Sequence, residues 1–265
     1  MSTGGAQASE PPGITVTLDG VVADARTESI PRYTGGSIAR SVFECAAGLY
    51  RLVLDRPDGT SVSLNGQPLT APSGLRWLPE RNSVEARGTA GRDVNVGLER
   101  LDIDEEPRIS TPIEQLPGDA VVFEAETFTE FGNGQPSRYS HRTFLSGGVG
   151  VGEWTVPGMW LQWPFSLGRA GTYNLVIKGS TEAGYADRII MIDGEPVGGA
   201  FLTHRFEHTG GYGATPAEWK QLVVTGTDGK PVEIELAAGE HTLFSICIAN
   251  RLNMDYFALA PVGGQ

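Results

Sequence analysis

The stretch RAGTYNLVIKGSTEAGYADRIIMIDGEPV, residues 169–197, decides the fold. Tyr173, Leu175 and Ile177 alternate with Asn174, Val176 and Lys178, the two-residue period of a strand with one face on a core. A polar loop follows, then a second apolar run, RIIMI, which Asp193-Gly194 cuts off. Asp-Gly is a turn pair of the kind that bounds such strands. The same grammar stands earlier in AAGLYRLVLDRPDGTSVSLNGQPL, residues 46–69: small-Gly-x-Tyr, strand, polar loop, strand, then Asn-Gly-Gln-Pro. VEARGTAGRDV (84–94) and VEIELAAGEHT (232–242) match in the same order. Self-similarity in a fixed order predicts two modules of similar topology.

Working outward, ITVTL, WLQWPF, QLVVTG and HTLFSICI read as further strands, and 36 glycines and 17 prolines punctuate them. No window of 11 or more residues sustains a helical apolar period. The expectation is an all-β chain of two tandem antiparallel β-sandwich modules, residues 14–103 and 119–265, behind a disordered lead-in, 1–13. DEEPRISTPIEQLPGD (104–119), with Pro107, Pro112, Pro117 and several acids, reads as a linker over 104–118.

The chain has 265 residues and a formal net charge of −12. Splitting it after Ala120 gives 11 basic and 17 acidic residues before and 9 and 15 after, so each half carries −6. That argues against nucleic acid and anionic membrane surfaces as partners. No apolar run reaches the roughly 18 residues of a membrane span, and MSTGGAQASEPPG lacks the basic and apolar regions of a signal peptide. Cys45 and Cys247 sit in alternating apolar stretches and read as core thiols, with a disulfide left open. HRFEH (204–208) fits an inverted zinc-protease pattern, but that chemistry needs a helix, and an all-β chain puts this run in a strand or loop.

VVFEAETF (121–128) sets two glutamates one residue apart in a strand-like run. On one strand, Glu124 and Glu126 share a face about 6–7 Å apart and repel each other. Taken alone they mark either a half-solvated strand face, a catalytic dyad or a cation site. FEAE, GMWLQWPF (158–165), RAGTYNLVIKGS, MIDGEPV, TGGYGATPAEWKQLVV (209–224), ELAAGEHTL (235–243) and NRLNMDYFAL (250–259) follow in an order that resembles the β-sandwich carbohydrate-binding modules of the family 6 and family 35 type. The resemblance covers roughly residues 119–262; the first module, 14–103, is a weaker relative.

The resemblance implies a jelly roll with a structural calcium held by Glu124, Glu126 and Asp255, and hard oxygen donors of this kind suit that ion. The loop SGGVGVGEW (146–154) could add backbone oxygens. ITVTLDG has no paired glutamate, so no equivalent ion is expected in the first module, despite Asp102. The resemblance also implies sugar binding in loops at one end of the sandwich: Tyr212 as stacking aromatic, Asn253 with Asn250 beside the last strand, Tyr185 and Asp187 from GSTEAGYADR, and Arg251, which would suit an acidic sugar. Trp219, Trp154 and Trp160 read as core or anchoring residues. The expected role is non-catalytic binding of a polysaccharide or oligosaccharide, as an accessory region of a larger carbohydrate-active enzyme or surface protein outside the cytoplasm, with a fused or partner catalytic domain. A β-sandwich polysaccharide lyase or glycoside hydrolase, and a spacer in an adhesin or phage fibre, are the alternatives, since fold does not fix function.

Overall fold

The computed structural model describes residues 13–17, 37–56, 58–69, 73–88 and 93–263. The chain divides into two compact units, Met1–Leu101 and Asp102–Gln265. Among the described residues the regular structure is β-strand, with three short 3-10 turns.

In the first unit one sheet runs Gly13–Thr17, Asp93–Arg100, Gly48–Asp55, Ser73–Leu78, and the other runs Ser37–Glu44, Arg81–Gly88, Ser61–Leu64, Gln67–Pro68. Leu52, Leu54, Val96 and Leu98 of the first sheet pack with Val62, Leu64, Val84 and Ala86 of the second. Alternation along Gly48–Asp55 turns Leu52 and Leu54 to the core and leaves Arg51, Val53 and Asp55 exposed.

In the second unit one sheet is ordered Thr111–Ile113, Lys220–Val223, Gly171–Ser180, Asn253–Pro261, Gly150–Gly152, Ser137–Tyr139. Val121–Glu124 also pairs with Asn253–Pro261, so the strand carrying Glu124 lies on the strand carrying Asp255. The facing sheet is ordered Glu130–Gly132, Trp160–Leu167, Gly239–Ala249, Tyr185–Ile192, Leu202–Glu207, Asp104–Ile109. Leu161, Trp163, Ile190 and Leu243 from this sheet meet Leu175, Ile177, Phe257 and Leu259 from the other. Trp163 packs edge-on to Phe257 at 4.7 Å, and its indole N–H, which burial would otherwise strand, donates to the Ala125 carbonyl at 2.6 Å. Fully burying each such large apolar side chain contributes about 1.5–3 kcal/mol.

The internal repeat has a physical cause that recurs in both units. Tyr50 donates its hydroxyl to the Ala46 carbonyl at 2.8 Å, and Tyr173 donates to the Arg169 carbonyl at 2.9 Å, so each tyrosine closes the turn four residues before it. The hairpins that follow turn on matched pairs of positive-φ residues, Asn65-Gly66 at 51° and 78° and Asp193-Gly194 at 54° and 84°.

The expected linker is corrected: much of 104–118 is built into the second unit. Asp104–Ile109 pairs in parallel with Leu202–Glu207, and Thr111–Ile113 pairs with Lys220–Val223. Pro107 and Pro112 are compatible with this because both strands sit at sheet edges, where a missing N–H costs no ladder bond. Of the expected lead-in, only Gly13 falls among the described residues. Both cysteines are free thiols, Cys247 buried and Cys45 half-buried. HRFEH lies on a strand, Leu202–Glu207, with His204 buried and His208 beyond its end.

Candidate functional site

Two clusters of polar side chains stand in the second unit. The first gathers the three carboxylates. Glu124 ends its strand, and Ala125–Thr127 is a 3-10 turn, so Glu126 does not share a strand face with Glu124 as its spacing predicts. The turn still carries both side chains to one place. Thr127 Oγ1 donates back to the Glu124 carbonyl at 2.7 Å, and Arg138 Nε donates to the Glu126 carbonyl at 2.6 Å. The Arg138 guanidinium also lies 3.6 Å over the Phe128 ring, which fixes the exit of the turn.

The loop Ser146–Gly148 closes over the carboxylates. Ser146 donates its N–H to Asp255 Oδ1 at 2.9 Å and its hydroxyl to Glu124 Oε1 at 2.6 Å. Gly147 has φ 59°, and a Cβ there would stand 2.9 Å from Glu126 Oε1 and 3.6 Å from Glu124 Cδ, so glycine is required by conformation and by space. Glu124 Oε2 and Glu126 Oε2 are buried and have no hydrogen-bond partner. Asp255 is fully buried, and its Oδ2 faces the Lys178 ammonium at 2.8 Å.

The electrostatics register the crowding. Burial first, and then the charges of Glu124 and Asp255, push the Glu126 carboxyl above its ordinary range. Burial raises the Asp255 carboxyl too, with Lys178 opposing and Glu124 adding to the rise. The phenol of Tyr256 is pushed up to about 12 by burial and by the Asp255 and Glu124 charges. The residues fit a hard dication by donor chemistry: orphaned carboxylate oxygens, a surplus of negative charge, and a loop backbone pressed against them. Side chains alone do not close a cage, for no group of three or more His, Cys, Asp or Glu among the described residues is drawn together tightly enough. Loop oxygens would have to complete it.

The second cluster is built around Tyr212, on a loop with little regular structure that is nevertheless tied down at many points. Glu218 accepts from the N–H groups of Gly213 and Ala214, both at 2.8 Å, and from Thr215 Oγ1 at 3.0 Å. These bonds, the one from Ala214 foremost, hold the Glu218 carboxyl below its ordinary range. Trp219, buried as expected, donates its indole N–H to the Gly213 carbonyl at 3.0 Å. Asn253 Nδ2 donates to the Tyr212 carbonyl at 2.8 Å. The tyrosine ring is half-buried, and the Arg251 guanidinium stands 5.0 Å from its centroid. Arg251 in turn donates to Asn253 Oδ1 at 3.1 Å and to Glu153 Oε1 at 2.8 Å.

Glu153 was not singled out by sequence. Its φ of 56° is notable, because among the described residues the other non-glycine residues with positive φ are all Asn or Asp, which tolerate that region. Gly152 beside it leaves the space into which Asn253 Oδ1 and the Tyr139 ring project, each 3.0 Å from where a Cβ would be. Arg142 lies over Tyr139 at 4.8 Å and donates to its hydroxyl at 3.2 Å, a second arginine–tyrosine pair.

Among the sequence candidates, Tyr212, Arg251 and Asn253 therefore meet. Asn253 is 1% exposed with its amide engaged on both sides, so it positions Tyr212 and Arg251 rather than presenting a free amide. Asn250, with φ 59°, offers its carbonyl to Arg188 Nη1 at 3.1 Å. Tyr185 and Asp187 form a separate group. Asp187 is buried and held two-point by Arg205, with both contacts 2.8 Å, and that guanidinium lies 3.9 Å over the Tyr185 ring. A second signal missed in the sequence is Arg188, fully buried against Trp154. It donates to the carbonyls of Trp154, Asp187, Ala249 and Asn250 at 2.8–3.1 Å and so anchors the segments next to Glu153 and Arg251. Burial pulls its guanidinium below the usual arginine value.

No family model and no curated protein matches this chain. Solved structures similar to it include a family 35 carbohydrate-binding module from Clostridium thermocellum, at 17% identity over 54% of this chain and 98% of that one, TM-score 0.42. The C-terminal family 6 module of a laminarinase from Zobellia galactanivorans is similar at 17% identity over 54% and 99%, TM-score 0.39. A cycloisomaltooligosaccharide glucanotransferase from Paenibacillus sp. is similar at 19% identity over 52% of this chain, TM-score 0.41; the match spans 18% of that enzyme. At these identities and scores the likeness carries no function over to this chain.

Proposed function

We propose that the second unit is a non-catalytic carbohydrate-binding module, with its sugar met at the Tyr212 loop and a structural calcium in the Glu124–Glu126–Asp255 cluster. The observation that carries the reading is a half-exposed aromatic ring on a loop immobilised by Glu218, Trp219 and Asn253, with charged and amide groups at its edge. A sugar offers a C–H face ringed by hydroxyls, and a pinned aromatic plate with polar groups beside it supplies both kinds of contact without an ordering cost on binding. Arg251 and Glu153 would take the hydroxyls, or Arg251 a carboxylate where the sugar carries one.

Calcium, when bound, would neutralise the paired glutamates and tie the turn after the first strand of the sandwich to the last strand. Glu124 and Glu126 would hold it with Asp255 behind them. Turned into one buried spot under Ser146 and Gly147, these carboxylates are ill-placed to flank a substrate as a hydrolytic pair does. The sugar-binding role would serve an enzyme or surface protein that works on polysaccharide outside the cytoplasm. No helix among the described residues is long and apolar enough to cross a membrane.

The test is a glycan array probed with the whole chain, with calcium and with chelator. Retention of one polysaccharide class, weakened by chelation only as far as the fold is weakened, is the expected result. Release of reducing ends or unsaturated products by the purified chain would overturn it.

A further inference from the structure

The strand pairing around Asp255 is irregular. Lys178 stands opposite Tyr256 and Gly179 opposite Met254, so the ladder skips Asp255. Such a bulge re-aims a side chain, and here the skipped residue is fully buried with its carboxylate turned to the carboxylate cluster. The same irregularity brings the Lys178 ammonium to 2.8 Å from Asp255 Oδ2, while its nitrogen lies 5.2 Å from the centre of the Tyr256 ring. The other Asp255 oxygen already accepts the Ser146 N–H. Asp255 Oδ1 thus accepts a hydrogen bond and Oδ2, which closes no well-formed hydrogen bond, is ion-paired with Lys178, whereas Glu124 Oε2 and Glu126 Oε2 have neither kind of partner.

We infer that Lys178 is a built-in counter-ion that sets how tightly this cluster holds calcium, an inference that rests on the calcium reading above. A buried carboxylate left unpaired is costly, and two more beside it raise the cost. Lys178 removes one charge from that group when no metal is present, so the metal-free fold is not forced apart. Counted by formal charge, three carboxylates less the one ammonium paired with them leave two negative charges, which one dication balances, and the Arg138 guanidinium adds a positive field at Glu126. The cost falls on affinity: an ammonium within a few ångströms repels an incoming dication and competes for Asp255. Lys178 trades calcium affinity for independence from calcium.

The experiment is calorimetric titration of the chelator-stripped whole chain with calcium chloride, for wild type, Lys178→Met and Lys178→Arg, with melting temperatures in chelator and in calcium. Lys178→Met is expected to bind calcium about tenfold tighter or more, since one nearby positive charge is removed. It should also melt lower than wild type in chelator, with calcium restoring the difference. Lys178→Arg, which keeps the charge, is expected to stay within about threefold of wild-type affinity. Should Lys178→Met fold only when calcium is present, that dependence supports the inference equally. Calcium binding by wild type with no gain in Lys178→Met overturns the inference and leaves the calcium reading standing. No binding by any of the three chains overturns the calcium reading itself.

Discussion

His204 makes a sharp prediction about acid. It is fully buried on the strand Leu202–Glu207, and neither ring nitrogen closes a well-formed hydrogen bond, although backbone groups of Val197 and Thr225 approach it. Burial, with the nearby Arg108 charge adding to it, pushes the imidazole down to about 4 from an ordinary 6.5. A base whose folded pKa is depressed binds protons more readily when unfolded. Stability is therefore full above the unfolded value and falls as pH drops from about 6.5 toward 4. The shift spans roughly 2.5 units at about 1.36 kcal/mol each, so close to 3 kcal/mol is lost by pH 4. Carboxylates titrate in the same range, so the comparison is with His204→Leu, whose constant offset cancels. Urea unfolding followed by tryptophan fluorescence reports on this unit, because Trp154, Trp160, Trp163 and Trp219 lie in it and only Trp77 does not. The stability difference between wild type and His204→Leu should move by about 3 kcal/mol between pH 7.5 and pH 4, against the wild type in acid. A flat difference, or an NMR titration placing His204 near 6.5, would refute the reasoning.

Three further outcomes follow from the same geometry. Burial opposes the His241 charge, but its bonds to Asp193 Oδ2 at 2.6 Å and the Ala237 carbonyl at 2.9 Å outweigh burial and raise its pKa. The stability His241 contributes is thus full below about 6.5 and lost as pH rises through the raised value, so the wild-type advantage over His241→Phe should shrink from pH 6 to pH 9 in the same unfolding assay. Tyr50→Phe and Tyr173→Phe each remove one hydroxyl bond to the carbonyl four residues before, and each should cost about 1 kcal/mol in urea unfolding of its own unit. Glu126→Gln should abolish the rise in melting temperature on adding calcium while relieving repulsion in chelator; a rise as large as the wild type's would count against the calcium site.

The sandwich was legible because its strands alternate and because Tyr50 and Tyr173 repeat one turn. Asp193-Gly194 and Asn65-Gly66 behaved as their residue types require. Over 104–118 the proline and acid content describes solvation, not whether a sheet edge is free to take the strand, and two sheet edges do take it. Glu124, Glu126 and Asp255 were found together, but the 3-10 turn at Ala125–Thr127 and the ammonium of Lys178 were not readable from a spacing of two. The Tyr212 loop could be placed, whereas Glu153, 98 positions from the Arg251 it pairs with, carried no local signal beyond its place after a glycine-rich run. The sequence offers Asp187 as a sugar-site residue of a loop, but its partner, Arg205, comes from the neighbouring strand and uses both its oxygens.

Under the proposed function Tyr212 is a sugar platform and not a packing residue. The most direct measurement is the affinity of Tyr212→Ala, against wild type, for the polysaccharide that wild type retains, with melting temperatures taken alongside. The expected result is a loss of about tenfold or more in affinity, the stacking contribution of one ring, with the melting temperature unchanged. Affinity equal to wild type, or a loss that only tracks a fall in melting temperature, would contradict it.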